Sequence, residues 1–162
     1  MAISKIGGTG SDNWELISSV TPTAASAAVN FTGLLPYKKL MVVADGVTLS
    51  VADELDLRIN NDSANKYLHS FWSNAEQVTQ SNFTSRLTFT YSSSTIAAMV
   101  VIENCDNAGV KFISKGFGGS QASGTIFMEN GIYLASAIVT QINVLVDNTY
   151  AGAGTLSLYG VK

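Results

Sequence analysis

Apolar and polar residues alternate along most of this chain, and alternation is the signature of strands with one buried face. Leu55, Leu57 and Ile59 fall on one side, while Glu54, Asp56, Arg58 and Asn60 fall on the other. Leu87, Phe89 and Tyr91 alternate with Arg86, Thr88 and Thr90; Val110, Phe112 and Ser114 alternate with Lys111, Ile113 and Lys115. Ile142, Val144 and Val146 alternate with Gln141, Asn143, Leu145 and Asp147. The last nine residues, Gly154-Thr155-Leu156-Ser157-Leu158-Tyr159-Gly160-Val161-Lys162, predict a closing strand with Leu156 and Leu158 inward. Trp14-Glu15-Leu16-Ile17-Ser18 predicts an opening strand. A terminal strand is ordered only when a sheet holds it, so both ends are expected in the core.

Two stretches break the alternation by being continuously apolar, Leu40 to Ala44 and Ile96 to Ile102. They fit strands buried on both faces, or strands with one face in a subunit interface. Turn chemistry is expected at Gly33 to Pro36, Asp45-Gly46, Asn60 to Asn65, Ser92 to Ser94, Asn104 to Gly109, Gly116 to Gly119, Asn130-Gly131 and Asp147 to Gly154. No convincing amphipathic helix is visible. Asn74 to Asn82 is the best candidate for a short helical or irregular excursion, and Ala24 to Ala28 fits a helical turn, a loop or an edge strand. Eight to ten short strands predict an all-β, single-domain antiparallel β-sandwich, a jelly roll, over residues 14–162, after a flexible arm over residues 1–13.

Composition changes this picture in one respect. Charged residues make up 13% of the 162 residues, about half the usual share. Charge is depleted where protein meets protein, so the surface is expected to assemble; the alternative is a neutral, Ser/Thr-rich monomer. The net charge of −3 and the single adjacent basic pair Lys38-Lys39 leave no footprint for nucleic acid. No apolar run is long enough to span a membrane as a helix. Met1-Ala2-Ile3-Ser4-Lys5 lacks a secretory signal's apolar stretch, which predicts a protein made in a cytoplasm and not exported by the usual route. The single cysteine, Cys105, permits no intrachain disulfide. Three glycosylation sequons, at Asn30, Asn61 and Asn82, then read as chance.

Candidate chemistry is sparse. Gly7-Gly8-Thr9-Gly10 and Gly116-Phe117-Gly118-Gly119 lack the lysine of a phosphate loop and read as arm and hairpin turn. His69, the only histidine, sits in an alternating strand and is expected at a surface or an interface. Glu54 and Asp56 share a strand face, which does not flank a substrate as glycosidase carboxylates do. Asn60, Asn61, Asp62 and Asn65 offer oxygens to a cation, but their spacing fits an Asn/Asp turn better. No catalytic residue, cofactor or metal is expected. Tyr67, Trp72 and Tyr150 are the candidate contacts for a glycan or partner, since aromatic faces near amides can stack on sugars; the alternative is packing.

The order of several segments resembles a family of small jelly-roll proteins of tailed bacteriophages. They are Trp14-Glu15-Leu16-Ile17-Ser18-Ser19-Val20, Val29-Asn30-Phe31-Thr32-Gly33-Leu34, Tyr37-Lys38-Lys39-Leu40, Leu55-Asp56-Leu57-Arg58-Ile59-Asn60 before Tyr67, and the closing Gly154 to Lys162. The turn Asn60 to Lys66 departs from the glycine-rich version in that family. The resemblance implies a structural role on the virion, assembled in the host bacterial cytoplasm, commonly as a homotrimer beside capsid or tail proteins. A capsid decoration (cement) protein or a fibre component is expected, with a receptor-binding tail-fibre tip that reads host surface glycans as the alternative. The arm Met1 to Asn13 is expected to order by lying on a neighbouring subunit.

Overall fold

A computed structural model describes residues 13–73, 77–79, 84–115, 118–120, 125–134 and 136–162, with backbone alone for 71–73, 77–79, 89–94, 115, 118–120, 125–127 and 129. The described residues are all-β, without helix, and their eleven strands join in one antiparallel sheet. In chain order these are β1 (Glu15–Val20), β2 (Ala28–Phe31), β3 (Lys39–Ile59), β4 (Tyr67–Ser73), β5 (Gln77–Thr79), β6 (Leu87–Glu103), β7 (Lys111–Lys115), β8 (Gly118–Ser120), β9 (Thr125–Tyr133), β10 (Ile142–Leu145) and β11 (Thr155–Val161). The main path runs β1-β11-β3-β6-β7-β9-β4-β5. β10 joins β2 to the far end of β3, and β8 pairs with β6 and β9.

The frame is the β3–β6 pair. β3 is 21 residues long and β6 is 17, well beyond the usual strand. Sequence signals for turns at Asp45-Gly46 and Ser92 to Ser94 fall inside these strands and mark register shifts. Gly46, with φ +60°, accommodates the irregularity after Ala44. One half of β3 then pairs with β11 and the other half with β10. The excursion expected at Asn74 to Asn82 contains β5, whose Gln77–Thr79 pair with Ser70 to Trp72. Asn130-Gly131 is also strand and not turn. Gly131 lies opposite His69 and Ile113, where a Cβ would stand 2.7 Å from Leu87 Cδ1 and 3.0 Å from the Leu68 carbonyl.

The closing strand is as central as its pattern implies. β11 lies between β1 and β3, with Leu156 and Leu158 fully buried. Gly160 follows Tyr159 because the Tyr37 ring occupies the space of a side chain, its Cδ1 2.4 Å from where a Cβ would sit. A single hydrophobic cluster gathers the inward residues of every long strand, including Leu40, Val42, Leu57, Ile96, Val100 and Ile142.

Candidate functional site

Strand pairing lays out the face of the sheet that turns away from the core. One row crosses β1, β11, β3 and β6 as Leu16, Tyr159, Met41 and Val101, and continues on β7, β9 and β4 as Ser114, Asn130 and Ser70. The neighbouring row carries Lys39, Glu103, Phe112, Ile132 and Leu68, and Val43 pairs with Met99 on the other side. Met41, Val43, Met99, Val101, Ile132 and Leu68 are half-buried, and Leu16 and Phe112 are 57% and 58% exposed. The continuous apolar runs of β3 and β6 are therefore not buried on both faces within this chain.

The register of β7 sharpens the point. Phe112 faces out while Lys111 is buried, its Nζ donating to the carbonyls of Asn107 and Gly109 (2.9 Å for the latter). Burial pushes the Lys111 ammonium below the usual lysine range. A one-residue slip would exchange the two side chains, yet Ile102 opposite Ile113 keeps the register. Beside Phe112 an open groove is bordered by Lys39, Glu103 and Asp106. Lys39 and Glu103 form a loose ion pair at 3.8 Å.

A second concentration of polar groups lies around Arg86. Asp56 is fully buried although its strand face is polar, because Arg86 covers it with Nε 2.9 Å from Oδ2. Thr88 donates to Asp56 Oδ1 at 2.8 Å and also lies 3.2 Å from Glu54. Arg86 grips Asp147 with both terminal nitrogens, at 2.6 and 3.0 Å. Burial, partly offset by Arg86, pushes the Asp56 carboxyl up to about 7. Both aspartates are thus committed to one guanidinium that ties β3 to the segment after β10. Asp53 reinforces this tie by accepting from the Asn148 backbone N–H at 2.6 Å.

The Asn/Asp turn after β3 is a local hydrogen-bonding device. Asn60 and Asn61 both have positive φ. Asn60 Oδ1 accepts from the backbone N–H groups of Thr140 and Gln141, and its amide donates to the Ile138 carbonyl. Asp62 accepts from Lys66 Nζ, Ala64 N–H and the Tyr133 hydroxyl, in that order the cause of a carboxyl held down at about 2. Among the described residues no group of three potential metal ligands occurs.

The sequence-predicted contacts are not brought together. Tyr67 is fully buried, stacked on Tyr133 with centroids 4.6 Å apart, and its hydroxyl accepts from the Ile59 backbone N–H at 2.7 Å. Tyr150 is also core, donating to the Val144 carbonyl at 3.0 Å. For both, packing is what their surroundings provide. Trp72 pairs through its backbone with Met128 and Gln77, and its side chain lies outside the described residues. His69, expected at a surface or an interface, is buried on the inward side of β4 within this chain. Sequence reasoning missed Phe112 and Met128 as outward apolar residues. Their one signal was the alternation itself, which does not say which side is the core. The glycine loop Gly7 to Gly10 lies outside the described residues. Compared with protein-family models the chain finds no match, and no curated protein matches it.

Proposed function

We propose that this chain is a non-enzymatic structural protein of a tailed bacteriophage particle. It acts as a homotrimeric jelly roll on the virion surface, as a capsid decoration protein or a fibre component. The half-exposed apolar face across β11, β3, β6, β7, β9 and β4 carries this reading, because it suits a protein whose work is to pack against other protein. The low charge content and the segment order shared with small phage jelly-roll proteins support it. The register shifts within the long β3–β6 pair, with one part of β3 beside β11 and the other beside β10, are compatible with a jelly roll.

The deciding experiment is immunogold labelling of purified particles with antibody raised against the isolated chain. Labelling at repeated positions on the head or along the tail is the expected result. Particles that stay unlabelled while free protein in the same lysate reacts would overturn the proposal.

A further inference from the structure

We propose that the groove beside Phe112 is a binding site for a neutral carbohydrate. Such a site goes beyond the structural role and does not rest on it. The open groove has a volume of about 590 Å³ and its lining includes Lys38, Lys39, Glu103, Asp106, Asn107 and Phe112. That volume falls within the roughly 300–1,000 Å³ of small-ligand sites. The groove is ordered before any ligand arrives. Lys39, Glu103 and Phe112 are cross-strand neighbours on β3, β6 and β7. The loop that carries Asp106 and Asn107 is held by Lys111 Nζ, which donates to the Asn107 and Gly109 carbonyls. The Asn104 amide holds the same loop, donating to the Val110 carbonyl at 2.8 Å. A preformed site loses little to ordering when it binds.

The chemistry of the lining selects the ligand. Phe112 is exposed, which leaves a phenyl ring in water among polar groups. A pyranose has a face of C–H groups and a rim of hydroxyls. Its C–H groups carry slight positive charge and suit the negative face of an aromatic ring. Each hydroxyl both donates and accepts, and the lining offers both functions: ammonium donors, carboxylate acceptors and the Asn107 amide. The two lysines and two acids among the described lining residues cancel in formal charge, so neither an anion nor a cation is favoured. The groove offers no strand edge to a peptide either, because β3, β6 and β7 each have a paired strand on both sides here. Alternation and aromatic content pointed to Tyr67 and Tyr150 as sugar contacts, and both are core; Phe112 supplies the exposed ring that they do not.

The test is an array of neutral oligosaccharides (of glucose, galactose, rhamnose and N-acetylglucosamine) beside sulfated and sialylated ones, probed with the full chain. Calorimetric titration of the strongest neutral binder then compares the wild type with Phe112→Ala and Leu16→Ala. Leu16 is as exposed as Phe112 on the same face but lies on β1, away from the groove. The expected result is neutral-sugar binding by the wild type and by Leu16→Ala, weakened about tenfold or more in Phe112→Ala. If Phe112→Ala loses its β circular dichroism, Asn107→Ala, in the exposed loop, is read in its place. A wild type that binds no neutral oligosaccharide, or that prefers the sulfated or sialylated ones, overturns the inference. So does binding that survives loss of the Phe112 side chain. Sugar binding that depends on Phe112 while particles stay unlabelled would instead sink the virion reading and leave the site standing.

Discussion

Asp56 is the residue whose chemistry most exceeds its sequence signal. Alternation puts it on a polar face, yet it is fully buried under Arg86 with a carboxyl pushed up to about 7 by burial. A carboxyl whose folded pKa lies above its unfolded value of 3.8 binds its proton more tightly when folded. Its stability contribution is then complete below about pH 4 and is lost as pH rises through 7. Asp62 works in the opposite sense: held down at about 2 by Lys66, Ala64 and Tyr133, it contributes above pH 4 and is lost as pH falls through 2. Thermal melting across pH 3 to 9 is expected to show the Asp56 contribution declining between about pH 4 and 7. Asp56→Asn, which mimics the protonated acid, should flatten the profile between pH 4 and 7, with a difference on the order of 3 kcal/mol between wild type and variant at pH 8 relative to pH 4. A variant whose profile runs parallel to the wild type would assign that decline to other groups. At Tyr150 the expectation is simpler. Tyr150→Phe removes a buried donor from the Val144 carbonyl and should lower stability in urea by about 1 kcal/mol.

At the scale of elements, the strands follow from alternation and the joints do not. β11, β1 and the far half of β3 stand where their patterns put them. Two glycine-marked turns, Asp45-Gly46 and Asn130-Gly131, do not interrupt the strands that contain them, the first appearing only as a register shift. The reason is that glycine signals two different needs. It permits positive φ, as at Gly46, and it permits contact too close for a side chain, as at Gly131 beside Leu87. Gly154 meets both needs at once, with φ +79° and the Gly46 carbonyl oxygen 2.2 Å from where a Cβ would be. Backbone cannot yield as the end of a side chain can. Gly154→Ala is therefore expected to destabilise the β3–β11 pairing by more than 3 kcal/mol. Equilibrium denaturation checks this, and a change below 1 kcal/mol would show that the two glycines do not meet so closely.

For the whole molecule, the decisive property is which side of the sheet is left half-exposed. If residues 1–13, rich in Gly and Ser, attach the protein to a neighbour, deleting Met1 to Gly10 should leave the β circular dichroism and melting temperature unchanged. Occupancy on particles, measured by quantitative immunoblot, should fall to background; unchanged occupancy would place attachment elsewhere. The amino-acid sequence by itself determined the all-β class, most strand positions, the buried closing strand and the charge-poor surface, because these depend on local period and composition. Only the tertiary structure decided which face of each strand is inner. A period of two is symmetric, and the choice between Lys111 and Phe112 is made by the partners of Ile113 and Ile102 across β6 and β7. It likewise decided that Tyr67 and Tyr150 are core, that Asp56 is buried, and that the apolar runs of β3 and β6 keep one face half open, since each depends on residues far apart in the chain.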